Sequence, residues 1–98
     1  MPAYAVLEID VKDPDRYRAY QKLSEAAVKQ HGGRFVVRGG SPETLEGGWT
    51  PPRIAVIEFA DRAAAKRWYD SPEYREARAM RVGAASVRAV VVDGYVSP

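Results

Sequence analysis

Four stretches of the chain alternate or cluster β-forming apolar residues, and between them apolar residues recur at three- and four-residue steps. The first, "YAVLEIDV" from Tyr4 to Val11, predicts a strand. "DPD" follows: Asp13 suits a helix N-cap, Pro14 the first helical position and Asp15 the positive end of the helix dipole. Tyr17, Tyr20, Leu23, Ala27, Val28 and His31 then form one apolar face, which predicts a helix to about His31. Gly32 and Gly33 stop it. "RFVVR", Arg34 to Arg38, predicts the second strand, interrupted from Gly39 to Pro42 as a bulge or bend would interrupt it. "ETLEGGWTPP" reads as a hairpin excursion that Pro51 and Pro52 hold at a sheet edge or in a loop. "RIAVIEFA", Arg53 to Ala60, predicts the third strand. Asp61 caps a helix, "RAAAKRWYD", which Ser71–Pro72 breaks and restarts, with Ser71 as the new N-cap, as far as about Arg81 and a stop near Gly83. "SVRAVVVDGYV", Ser86 to Val96, predicts the last strand. The order β-α-β-β-α-β is the ferredoxin-like pattern, an α+β antiparallel sheet with helices on one face.

Strand periodicity sorts the side chains into two faces. Ala5, Leu7, Ile9, Val11, Phe35, Val37, Ala55, Ile57, Phe59, Val87, Ala89 and Val91 share one, wholly apolar, and should lie under the helices. The alternate face holds Tyr4, Val6, Val36, Ile54, Val56, Val90 and Val92 with Glu8, Arg38, Glu58 and Arg88. No helix is left to cover it, and an exposed apolar face of this kind marks an interface, most economically with a second copy of the chain. At 98 residues the chain is read as a single domain, 1–98, whose modest core gains from a partner.

Composition narrows the remaining classes. Fifteen basic residues against thirteen acidic ones leave a net charge of +2, with no Lys/Arg block of the kind that follows a phosphate backbone, so no nucleic-acid partner is expected. The absence of cysteine excludes disulfides, thiolate zinc sites and a cysteine nucleophile, and fits the cytoplasm. The N-terminus reads as a strand rather than a signal peptide, and no apolar run approaches a membrane span. One histidine rules out a histidine-rich metal site within one chain, so neither metal nor cofactor is expected.

Candidate chemistry is sparse. His31 closes the first helix, either as a dipole-favoured terminal residue or as an acid/base group bordering a pocket. Glu8 and Glu58, on first and third strands taken as parallel central neighbours, fall near one level of the alternate face, with Arg38 beside Glu58; they make a carboxylate pair or an interface ion cluster. In "RWYDSPEYREARAMR", Trp68 reads as core, while Tyr69 and Tyr74 carry hydroxyls that need partners if buried. Arg81 stands seven residues after Tyr74, on the same helix face, so a Tyr/Arg pocket for a small polar or anionic ligand competes with plain packing. The glycine pairs match no phosphate-binding loop.

"HGGRFVVRGG", "LEGGW", "PPRIAVIEF", "WYDSPEY" and "VVVDGY" together resemble the domain-of-unknown-function family thirteen-thirty, of the dimeric α+β barrel superfamily, over nearly the whole chain. The resemblance implies a ferredoxin-like subunit and a homodimer whose two sheets form a barrel. Relatives in that superfamily include cofactor-independent monooxygenases, lactone isomerases, haem-dependent enzymes and proteins without known activity, often with pockets between sheet and helices. The positions matching the family pattern, and so candidates for ligand binding, are His31, Arg38, Glu58, Tyr69, Ser71, Tyr74 and Arg81; the resemblance assigns none of them a catalytic role. Two functions stay open, a cofactor-independent enzyme, monooxygenase- or isomerase-like, and a non-catalytic metabolite-binding or accessory module, with a purely structural dimer as a third reading.

Overall fold

A computed structural model describes all 98 residues. The elements are β1 (Ala3–Val11), α1 (Pro14–Gln30), β2 (Arg34–Gly40), β3 (Ile54–Phe59), α2 (Arg62–Asp70), α3 (Pro72–Arg81) and β4 (Ala85–Asp93). Each helix begins where a capping side chain meets an orphan amide. Asp13 accepts from the Arg16 amide at 3.2 Å, Asp61 from Ala64 at 2.7 Å and Ser71 from Tyr74 at 3.1 Å. The end of α1 is a Schellman turn: the Gly32 amide donates to the Lys29 carbonyl and the Gly33 amide to that of Val28. Gly32 takes φ +76°, the left-handed conformation such a turn requires.

The strands order as β2-β3-β1-β4, every pair antiparallel. This corrects the expectation that the first and third strands run parallel. The helical crossover leaves β1 and β2 pointing the same way, and the next connection turns the chain back, so β3 opposes β1. Tyr4 therefore faces Glu58, and Glu8 faces Ile54. The two carboxylates stand four residues out of register, about 13 Å along the strands, and form no dyad.

All helices lie on one face. Leu7, Ile9, Ile57 and Phe59 of the sheet meet Tyr17, Tyr20 and Val28 of α1, Trp68 of α2 and Tyr74 and Ala77 of α3 in one buried cluster. Phe59 and Trp68 pack with ring centroids 5.2 Å apart. Burying side chains of this size stabilises the fold by about 1.5–3 kcal/mol each.

β2 departs from simple alternation. Phe35 pairs with Ile57 but Val37 with Val56, and Arg38 pairs with Ala55 but Gly40 with Ile54, so two bulges interrupt the strand. The first moves Val37 to the outer face and brings Arg38 round to the helix side, reversing both expected placements. Arg38 thus stacks on Phe35, 4.5 Å from the ring centroid, and reaches Glu25 of α1 at 3.6 Å; the partner of Glu58 is Arg34, not Arg38. The stretch expected to be a hairpin excursion forms no strand between β2 and β3. It is a long exposed connection closed by a bond from the Thr44 hydroxyl to the Trp49 carbonyl, 2.6 Å.

The outer face of the sheet carries ordered rows. The register sets Val37, Val56, Val6 and Val90 side by side across all four strands. An ion pair flanks this valine row on each side. Arg34 donates to Glu58 at 2.7 Å, with the Tyr4 hydroxyl on the same carboxylate, and Arg88 donates to Glu8 at 2.6 Å, with the Trp49 indole on its other oxygen. No helix is long and apolar enough to cross a membrane.

Candidate functional site

The helix side holds one buried polar cluster. Tyr20 on the apolar stripe of α1 meets Tyr74 of α3 hydroxyl to hydroxyl at 2.7 Å. Arg81, two helical turns beyond Tyr74, donates Nη1 to both hydroxyls, at 3.1 Å to Tyr20 and 3.0 Å to Tyr74. Burial, reinforced by Tyr20, holds the Tyr74 phenol far above its ordinary pKa against the opposing pull of Arg81, so Tyr74 stays protonated. Two neutral hydroxyls share one O–H···O bond, which leaves one proton over. Tyr74 is wholly buried, so a spare proton there would be an unmet donor. The favourable arrangement has Tyr74 donating to Tyr20, which is slightly less buried and lines a cleft on the helix side.

Two clefts flank this cluster. One, of about 340 Å³, lies between α2 and the β1–β4 half of the sheet; Leu7, Val87, Ala89 and Val91 wall it, with Trp68, Tyr69 and Arg81 on the helical side. We refer to it as the α2 cleft. Trp68 lines this cleft, but it is only 2% exposed, and its indole Nε1 is buried in the packing, closed off from water, with no hydrogen-bond partner. Tyr69 stands at the rim, where Arg78 covers its ring at 4.1 Å and donates to its carbonyl at 3.2 Å. The other, the α1 cleft, of about 260 Å³, lies between α1 and the β2–β3 half and is more polar, with Tyr20, Gln21, Arg38 and Arg53 on its lining. Arg53 sits over the Tyr17 ring at 5.4 Å. Burial raises the Tyr17 phenol above its usual value. Leu7 borders both clefts, while Tyr20 lines one and Arg81 the other, so Leu7 and the hydroxyl cluster form the wall between them.

The expected site residues are therefore divided. Tyr74 and Arg81 meet as a pair beside the α2 cleft, and Tyr69 lines its rim. Arg38 lines the α1 cleft. Ser71 is occupied as a cap: its hydroxyl donates to the Trp68 carbonyl at 2.7 Å and accepts from the Tyr74 amide. Glu58 lies on the outer face, its carboxyl held low by the bonds from Arg34 and Tyr4. His31 lines neither cleft; its Nε2 meets Glu73 of α3 at 2.7 Å and ties the end of α1 to the start of α3. Sequence reasoning left out Tyr20 and took Trp68 as core alone. The available signal was the same for both: a phenol or indole on a core-facing position brings a polar atom that needs a partner.

An antiparallel sheet in the order β2-β3-β1-β4, helices on one face and clefts between the layers define a ferredoxin-like α+β subunit. The chain belongs to the family described as Domain of unknown function (DUF1330), which matches residues 2–95. Among solved structures, a protein of unknown function from Rhodopseudomonas palustris is similar at 23% identity and TM-score 0.73, over 98% of this chain and 84% of that one. A dimeric ferredoxin-like protein of unknown function from Jannaschia sp. CCS1 is similar at 17% identity and TM-score 0.74, over 96% and 100% of the two chains. SnoaB, a cofactor-independent oxygenase from Streptomyces nogalater, is similar at 11% identity and TM-score 0.71, over 98% and 95%. At these identities the likeness is one of fold. No curated protein matches the chain.

Proposed function

We propose that this chain works as a homodimer in which each subunit binds a small organic molecule in the α2 cleft. The observation that carries the reading is the cleft itself, about 340 Å³ and walled mostly by apolar side chains with the Arg81 guanidinium among them, a space large enough for a small metabolite. The dimer rests on the outer face, where the valine row has no cover within the chain, and on the dimeric state of the Jannaschia neighbour.

A binding role is favoured over acid/base catalysis by the groups that meet at the cleft. Tyr74 keeps its proton, Arg81 keeps its charge, and His31 stands elsewhere. The fold it shares with an oxygenase supports a second reading, a cofactor-independent enzyme. Native mass spectrometry of the freshly purified protein tests the first. The expected result is a dimer that releases a small organic molecule on denaturation, with the molecule lost from a folded Ala89→Phe variant that fills the cleft. An empty monomer, or equal ligand content in Ala89→Phe, would refute it. Aerobic turnover of the released molecule, abolished in Ala89→Phe, would move the reading to the enzyme.

A further inference from the structure

Three charged side chains line the α2 cleft, Lys66, Asp70 and Arg81. Arg81 has no carboxylate within ion-pair reach; its side-chain partners are two neutral hydroxyls, both taken by Nη1. Hydroxyl oxygens orient a guanidinium but leave its charge uncompensated, and a charge drawn out of water favours an opposite one nearby.

One buried residue positions Arg81 and packs on Trp68 in the cleft wall. The Trp68 and Tyr74 rings stack with centroids 4.2 Å apart, and the Tyr74 hydroxyl holds Arg81 at 3.0 Å. Tyr74 is itself fully buried and fixed at its far end by Tyr20. The remaining walls, Ala5, Leu7, Val87, Ala89 and Val91, are aliphatic. At the lining, Lys66 and Asp70 offset each other, so charge selection falls to Arg81.

Resting on the reading of this cleft as a small-molecule site, we infer that its ligand is a small organic monocarboxylate with an apolar body, whose carboxylate is met by Arg81. A guanidinium fork matches a planar carboxylate. A neutral alcohol of the same shape fills the apolar space and leaves Arg81 uncompensated. A polyol or nucleotide finds too few polar partners on the aliphatic walls.

The test compares phenylacetate with 2-phenylethanol and phenethylamine, three probes of similar shape and different charge, at pH 7. Binding is read by titration calorimetry and by the indole N–H signals in heteronuclear NMR. The chain has two tryptophans, and a Trp49→Phe variant assigns the Trp68 signal. Phenylacetate should bind at least tenfold more tightly than 2-phenylethanol and move the N–H signal of Trp68, whose ring lines the cleft. The amine should bind most weakly. Arg81→Gln should cut phenylacetate affinity at least tenfold and leave 2-phenylethanol within twofold. Equal affinity for acid and alcohol in the wild-type protein would overturn the inference while leaving the cleft as a binding site. So would a preference for the acid that survives in Arg81→Gln. If no probe moves the Trp68 signal, the cleft reading falls and takes this inference with it. The wild-type acid-to-alcohol ratio decides the matter even where Arg81→Gln proves too unstable to purify.

Discussion

Gly32 and Gly33 both resist replacement, for different reasons. Gly32 turns through positive φ with open space around it, so a side chain there meets only backbone strain. Gly33 has ordinary φ, yet a Cβ on it would stand 2.6 Å from Phe59 Cε1 and 3.0 Å from Val28 Cγ1. In urea denaturation Gly32→Ala should lose about 1–2 kcal/mol, and Gly33→Ala about 1–3 kcal/mol through overpacking. A Phe59→Leu background, which removes the ring, should relieve the second loss and not the first. His31 is a joint between helices. His31→Asn should lose about 1 kcal/mol, nearly all of it shared with Glu73→Gln in a double-mutant cycle, and should leave probe binding in the α2 cleft within twofold. At this scale the Tyr74–Arg81 pair was legible because seven residues on a helix return to the same face. Tyr20 was not, because nothing in its own helix announces a partner on α3.

The elements were legible wherever a local signal marked them: Asp13, Asp61 and Ser71 at helix starts, and Gly32 and Gly83, both at positive φ, at helix ends. β2 was legible as a strand but not by face. Its first bulge falls among Phe35, Val36 and Val37, where no glycine or proline flags it, and one inserted residue flips every later side chain. Strand direction was lost for another reason: hydrophobic alternation is identical for parallel and antiparallel neighbours. The true register separates the carboxylates into two independent ion pairs, and these give the sheet a pH signature. Bonds from Trp49 and Arg88 hold Glu8 below the ordinary carboxylate pKa, and bonds from Arg34 and Tyr4 do the same for Glu58. A carboxyl depressed in the folded state contributes stability above its unfolded pKa and loses it as pH falls through the folded one. The thermal midpoint should therefore be level down to the ordinary carboxylate range, about pH 4.5, and decline below it. Glu8→Gln and Glu58→Gln should each lower the midpoint at pH 7 and flatten the acid limb, which a pH series of thermal melts would read.

At the scale of the whole molecule, the sheet has a covered side and a bare one. The proposed dimer makes the bare side the place where a single charge does most harm. Val56→Glu, in the middle of the valine row, should convert a micromolar dimer to monomer in sedimentation, while the exposed helix pair Lys22→Ala/Lys29→Ala should leave it intact. A wild-type protein that sediments as monomer would remove the dimer from the account. The covered side has a different vulnerability. Leu7 borders both clefts, so at that point their partition is one side chain thick. Trimming it to alanine would join the two spaces beneath the helices and cost about 2–5 kcal/mol of stability. Under the proposed binding role, Leu7 with the hydroxyl cluster beside it, rather than the outline of the fold, sets how long a ligand the α2 cleft takes. A lineage of such proteins can broaden what it accommodates without moving a strand, but only as far as its reserve of stability allows.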